Sequence, residues 1–151
     1  MFWDNIDPGT ASYYMSYFED WANLPTGTLV TIAQIESSFN PDTGDYKNGC
    51  NNVRACGLMQ LRPVALQDIQ NHYHARLDPI DPIQAIIGAA AMFNINRRYL
   101  HYYTHQDPDV NALIAAYNGG WSAGRNYMLG RSIPRETMNY LALADQYMGI
   151  G

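Results

Sequence analysis

The sequence predicts a mainly α-helical fold, and three observations carry that prediction. Apolar residues recur at i, i+3, i+4 and i+7 in several segments, which is the spacing of one helix face. No stretch shows the sustained period-two alternation of a half-buried strand. Gly and Pro fall mostly in short loops between the helical segments, where they punctuate rather than interrupt.

Taken in order, Tyr13 to Ala22 reads as a first helix. Thr28 to Phe39 reads as a second, entered through Leu24-Pro25-Thr26-Gly27 and stopped by Asn40-Pro41. Asp42 to Ala55 is rich in Gly, Asn and Asp and reads as a short irregular loop or β-hairpin region. Leu58 to His72 reads as a third helix, with Pro63 near its first turn. Asp81-Pro82 opens a long helix to about Tyr103, and Ile83 to Phe93 is apolar nearly all round, as in a buried central helix. Asp107-Pro108 opens a short helix in which Val110, Leu113, Ile114 and Tyr117 follow helical spacing. Asn118-Gly119-Gly120 ends it, as Gly does at helix C-termini. Ser122 to Leu129 reads as a further turn or helix. Ile133-Pro134 starts the last helix, with Met138, Leu141, Ala144 and Met148 on one side.

The length of 151 residues predicts one domain, 1–151, without internal repeat or linker. A net charge of −5 and a pI near 5.1 argue against a nucleic-acid binder that works by neutralising phosphates. The longest apolar run, Ala85 to Phe93, is nine residues, against the roughly 20 that a membrane span needs. Met1-Phe2-Trp3-Asp4 shows no basic region followed by an apolar one, so no secretory signal is expected within this stretch. Cys50 and Cys56 stand six apart, a spacing compatible with a small disulfide or with two free thiols. His101 and His105 stand at i and i+4, but no Glu follows the first histidine as in a zincin motif, and no metal or cofactor is expected. The sequence holds no nucleophile elbow, phosphate loop or dinucleotide fingerprint.

Glu36 is the residue that points to chemistry. Leu29, Ile32 and Ala33 mark the apolar face of the second helix, and Glu36 is the next position on that face. A carboxylate there faces the core or a cleft in it, where burial disfavours its charge. A carboxylic acid held protonated near neutral pH is what a general acid requires. A helix-end glutamate with a buried stem and a wet head is the plainer alternative.

The surrounding motifs favour the catalytic reading. Glu36 runs into Ser37-Ser38-Phe39-Asn40-Pro41. Gly57-Leu58-Met59-Gln60-Leu61 follows, with Pro63 two residues on. Ala115-Ala116-Tyr117-Asn118-Gly119-Gly120 comes later, and Pro134-Arg135-Glu136-Thr137-Met138-Asn139-Tyr140-Leu141 last. In that order these motifs resemble the soluble-lytic-transglycosylase family, goose-lysozyme-like enzymes that cut bacterial peptidoglycan. The resemblance covers about residues 24 to 147 and implies a mainly α, lysozyme-like fold. It implies that Glu36 is the single catalytic acid/base, and that Met59 and Gln60 line the cleft beside it. Tyr117 and Asn118 match the family's Tyr-Asn pair, and Tyr140 matches a late tyrosine that reaches the carboxylate or the sugar. Ser37 joins the substrate-binding candidates, with helix-end chemistry as its plainer role. Met59 and Tyr117 have simple packing as theirs.

The chain departs from the family pattern after Glu36. A Ser or Thr is usual about nine residues on, and here that position is Asp45, with Thr43 close by. The stretch to Gly57 is several residues longer than usual, and the extra Lys47 to Arg54 holds Cys50. Gln84 stands where the family has Asn before its central helix. Asp42 or Asp45 could position a water and convert transglycosylation into goose-type muramidase hydrolysis. The simpler view makes both aspartates turn residues after Pro41.

The resemblance therefore implies a peptidoglycan lytic transglycosylase that leaves 1,6-anhydro-muramic acid ends. Its partners are the glycan strands, and it acts in the periplasm or at the cell wall. A phage virion enzyme is the favoured setting, ahead of a secretion-system or cell-wall domain. The alternatives are the muramidase and a non-catalytic wall-binding or structural virion protein.

Overall fold

The computed structural model describes residues 7–44 and 55–149. Among them it holds seven helices and, in place of strands, two isolated bridges. The mainly helical expectation is met.

Helix α1 (Pro8–Trp21) starts five residues earlier than the apolar pattern implied. Asp7 caps the helix by accepting from the Thr10 amide at 2.9 Å and the Thr10 hydroxyl at 2.6 Å. Pro8 in the first turn lacks only a donor that the helix would leave unused. Helix α2 (Thr28–Ser37) stops two residues before Phe39. Ser38 and Phe39 both take left-handed backbone, at φ 51° and 63°, which no α-helix continues through.

Helix α3 (Pro63–Tyr73) corrects the expected start at Leu58. Residues 57–60 form a turn, with Gly57 at φ 85° and Gln60 at φ 52°. The turn is closed by an antiparallel bridge between Cys56 and Leu61, with main-chain bonds of 3.2 and 3.1 Å. A second bridge pairs Cys56 with Gly44, so the segment after α2 and the segment before α3 meet at Cys56. The rest of the expected hairpin, 45–54, lies outside the described residues.

Helix α4 (Pro82–Thr104) is the long helix, and Ala85, Ile86, Ala89, Ala90, Ala91 and Phe93 are all buried in it. Asp81 caps it through the Gln84 amide at 3.0 Å. Gly88 lets α4 approach its neighbours closely, since a Cβ there would meet Leu61 at 2.6 Å. Helix α5 (Val110–Gly119) is capped by Asp109, which accepts from Ala112 at 2.8 Å, and it ends at Gly120 with φ 86°. The segment expected as a turn or helix is helix α6 (Trp121–Met128).

Helix α7 (Arg135–Met148) turns inward most of the side expected, with Leu141 and Ala144 buried and Met148 half-buried, but not Met138. Thr137, Tyr140, Leu141 and Ala144 are buried, whereas Met138 is 56% exposed. The Thr137 hydroxyl donates to Asn118 Oδ1 at 2.8 Å, so this polar side chain is satisfied inside.

The chain groups into two compact units, Met1–Met92 and Phe93–Gly151. In the first, α1 packs on α2. In the second, α5 packs on both α6 and α7. Among the described residues no helix is long and apolar enough to cross a membrane.

Candidate active site

Glu36 is the penultimate residue of α2. At about 100° per residue it projects between Leu29 and Ile32, two fully buried side chains. It is itself half-buried, because the helix ends one residue later. This is the inward face that the sequence implied for it.

The segments after α2 are tied to its end. Ser37 is buried, and its hydroxyl lies 2.7 Å from the Leu58 carbonyl and 3.1 Å from the Ala33 carbonyl. The 57–61 turn is thereby held against the residue that follows Glu36. The Gln60 side-chain amide donates to the carbonyls of Gly57 at 2.9 Å and Thr43 at 3.2 Å. The Gly57 amide donates to the same Thr43 carbonyl at 2.8 Å. The Thr43 hydroxyl lies 3.5 Å from the Ser37 carbonyl, so a hydroxyl does stand near the end of α2. Met59 is fully buried among these segments.

Gly57 permits this arrangement. At φ 85° it takes a backbone conformation that a side chain disfavours. A Cβ there would also lie 1.8 Å from the Pro79 carbonyl oxygen.

The aspartates after Pro41 divide. The Asp42 amide donates to Asn40 Oδ1 at 3.0 Å, the self-contained turn chemistry of an Asn-Pro-Asp segment. Asp45 lies outside the described residues, as does Cys50. Cys56 is disulfide-bonded, which settles the open choice between thiol and disulfide at that position. Gln84 holds the entry to α4, with its Oε1 accepting from the Asp78 amide at 2.8 Å.

The remaining candidates gather in the second unit. Tyr117, half-buried on α5, stacks on the fully buried Phe93 with ring centroids 5.1 Å apart and planes 17° from parallel. Asn118 accepts the Thr137 hydroxyl, and Tyr140, one turn along the same face of α7, is 6% exposed. Gly119 packs against Thr137, whose Oγ1 would lie 2.5 Å from a Cβ at that position. His101 Nδ1 lies 2.9 Å from the Asp107 carboxylate on an exposed surface.

Three supporting residues escaped the sequence reading. Phe93 and Thr137 hold Tyr117 and Asn118, but an aromatic and a hydroxyl at those positions carry no distinctive signal. Glu19 carried one: it falls on the buried face of α1 with Ala11, Met15 and Ala22, the same pattern that singled out Glu36.

The family model for the transglycosylase SLT domain matches residues 14–133. The match begins in α1, takes in Glu36, Met59, Gln60, Tyr117 and Asn118, and ends seven residues before Tyr140. No curated protein matches the chain. Because the match covers well over half of the sequence, runs through the segments that carry these residues and agrees with the mainly α fold, the chain belongs to the transglycosylase SLT domain family, the lytic transglycosylases of peptidoglycan.

Proposed function

We propose that this protein cleaves the β-1,4 bond between N-acetylmuramic acid and N-acetylglucosamine without water, with Glu36 as the acid and then the base. The observation that carries the proposal is the placement of Glu36. Glu36, read as the family's acid, is a half-buried carboxylate at the end of α2, and the Met59–Gln60 turn is tied to the next residue. Glu36 gives its proton to the glycosidic oxygen as the bond to the muramic acid C1 breaks. The substrate's own N-acetyl oxygen covers the cationic C1, so no protein nucleophile is needed, a departure from the two-carboxylate scheme. The Glu36 carboxylate then takes the proton of the muramic acid 6-hydroxyl. That oxygen bonds to C1, closes the 1,6-anhydro ring and returns Glu36 to its starting state.

In this reading Gln60 shapes the floor beside Glu36, and Tyr117, Asn118 and Tyr140 serve the sugar. Asp45, at the family's Ser/Thr position, is a substrate-binding candidate on the resemblance alone. Ser37 and Met59 act from beneath, since both are buried: Ser37 ties the turn to α2 and Met59 fills the space between. The family match runs through both compact units, which supports reading residues 1–151 as one catalytic domain. The enzyme works on wall glycan strands, in the periplasm or at the cell surface. Neither the fold nor the family bears on a virion or secretion assembly.

Mass spectrometry of the soluble products from purified peptidoglycan tests the proposal. Muropeptides lighter by one water than the hydrolytic product are expected, and Glu36→Gln should release none. Reducing muramic acid ends would instead make the protein a muramidase and turn attention to Asp42 and Asp45. A folded protein that binds peptidoglycan and releases nothing would be a wall-binding protein.

A further inference from the structure

Glu19 is a second carboxylate on an inward face, and the proposed reaction makes no use of it. It is 3% exposed on α1. Its Oε2 accepts the buried Leu29 amide at 2.8 Å. The Gly27 and Thr28 amides also favour its charge, while burial pushes the carboxyl above the ordinary carboxylate value. Its main-chain carbonyl accepts from Leu24 at 2.8 Å, so one residue fastens both the loop into α2 and the start of that helix. Helix α2 has no side-chain cap of its own, since its cap residue is Gly27. Glu19 supplies from α1 the acceptor that Ser, Thr, Asp or Asn would otherwise supply locally.

We propose that Glu19 is a positioning residue for the reaction, fixing the N-terminus of α2 and through that helix the placement of Glu36. The inference rests on Glu36 being the acid/base. From Leu29 to Glu36 is about 10 Å along the axis at 1.5 Å per residue. A helix of under three turns transmits a displacement at one end almost whole to the other. Without Glu19, the Leu29 amide is left in a fully buried place without its acceptor, and α2 must shift or admit water to satisfy it. A catalytic group displaced by about 1 Å can lose as much as 100-fold in rate.

The test compares Glu19→Ala, Glu19→Gln and Glu19→Asp with wild type and with Glu36→Gln. Rates are taken at saturating and limiting peptidoglycan, well below each variant's melting temperature. Glu19→Ala should lose about 10- to 100-fold in kcat with KM changed less than about two-fold. Glu19→Gln should recover most of that, because its amide oxygen still accepts the Leu29 proton. A folded Glu19→Ala with wild-type kcat, or a Gln variant no better than Ala, would overturn the inference. Should Glu19→Ala fail to fold, Glu19→Asp decides. It keeps the charge but falls one carbon short of Leu29, so its kcat should fall about ten-fold at unchanged KM, and wild-type kcat would overturn the inference. Glu36→Gln separates the two claims. Activity retained there sinks the acid/base assignment, whereas an inactive Glu36→Gln beside an unimpaired Glu19→Ala sinks only the role of Glu19.

Discussion

Gly57→Ala should damage both stability and turnover, and its cost can be divided into two parts. The first is conformational. Gly57 sits at φ 85°, where a side chain costs about 1–2 kcal/mol. The second is steric. The new Cβ would lie 1.8 Å from the Pro79 carbonyl oxygen and 2.8 Å from its carbon. Both atoms are backbone and cannot swing aside as a side chain would, so the turn or the 79–80 segment must move. Overpacking of this kind costs about 1–3 kcal/mol. The sum is about 2–5 kcal/mol, a melting temperature lowered by roughly 4–20 °C for a chain of this size. Gly130→Ala is the matched control, because Gly130 has φ 69° and nothing within 4 Å of its would-be Cβ. It should pay only the conformational part, about 1–2 kcal/mol. Urea denaturation of both variants with the disulfide intact gives the two values, and peptidoglycan release gives the activities. Gly57→Ala should also lose activity, since the turn carries Met59 and Gln60. If the two variants are equally destabilised, the tight approach of the turn to Pro79 is not a constraint and the reasoning fails.

Ser37→Ala should cost about 1–3 kcal/mol, because the Leu58 carbonyl loses a buried donor at 2.7 Å. Turnover should fall with it as the Met59–Gln60 turn loosens. A variant with unchanged urea midpoint would show that the hydroxyl ties nothing. Glu19 should leave a mark on the pH dependence of stability. Its folded carboxyl holds its proton above the usual value of 4.5, chiefly through burial. Between that value and its folded pKa the unfolded chain has released the proton while the folded chain keeps it, so stability falls as the pH rises. Glu19→Gln lacks this proton. The melting temperature of the variant minus that of the wild type should therefore increase from about pH 4 to pH 7, and a flat difference would refute the burial argument.

Much of the architecture is local and could be read from residue order. The continuous apolar run from Ala85 to Phe93 marks α4, and Asp109 and Gly120 bracket α5 by chemistry that acts within a few residues. Glu36 was legible for the same reason, since a helical repeat is enough to show a carboxylate on an apolar face. The errors came where long-range contacts outweigh local preference. Leu58 to Arg62 looks helical, but the pairing of Cys56 with Leu61 and the passage of Gly57 beside Pro79 bend it into a turn. Met138 looks like a core residue, but Thr137, bonded to Asn118, is buried instead and Met138 is left in solvent. Met59 matched a cleft position, yet its burial depends on which segments close over it. The sequence by itself determined the helical class, the family and the identity of the proposed acid, because periodicity and motif order are properties of one dimension. The tertiary structure decided how α2 is fastened, by Glu19 at one end and by Ser37 and the 57–61 turn at the other. Those bonds join residues 10 and 21 positions apart, and no local pattern encodes which distant donor a buried acceptor will meet.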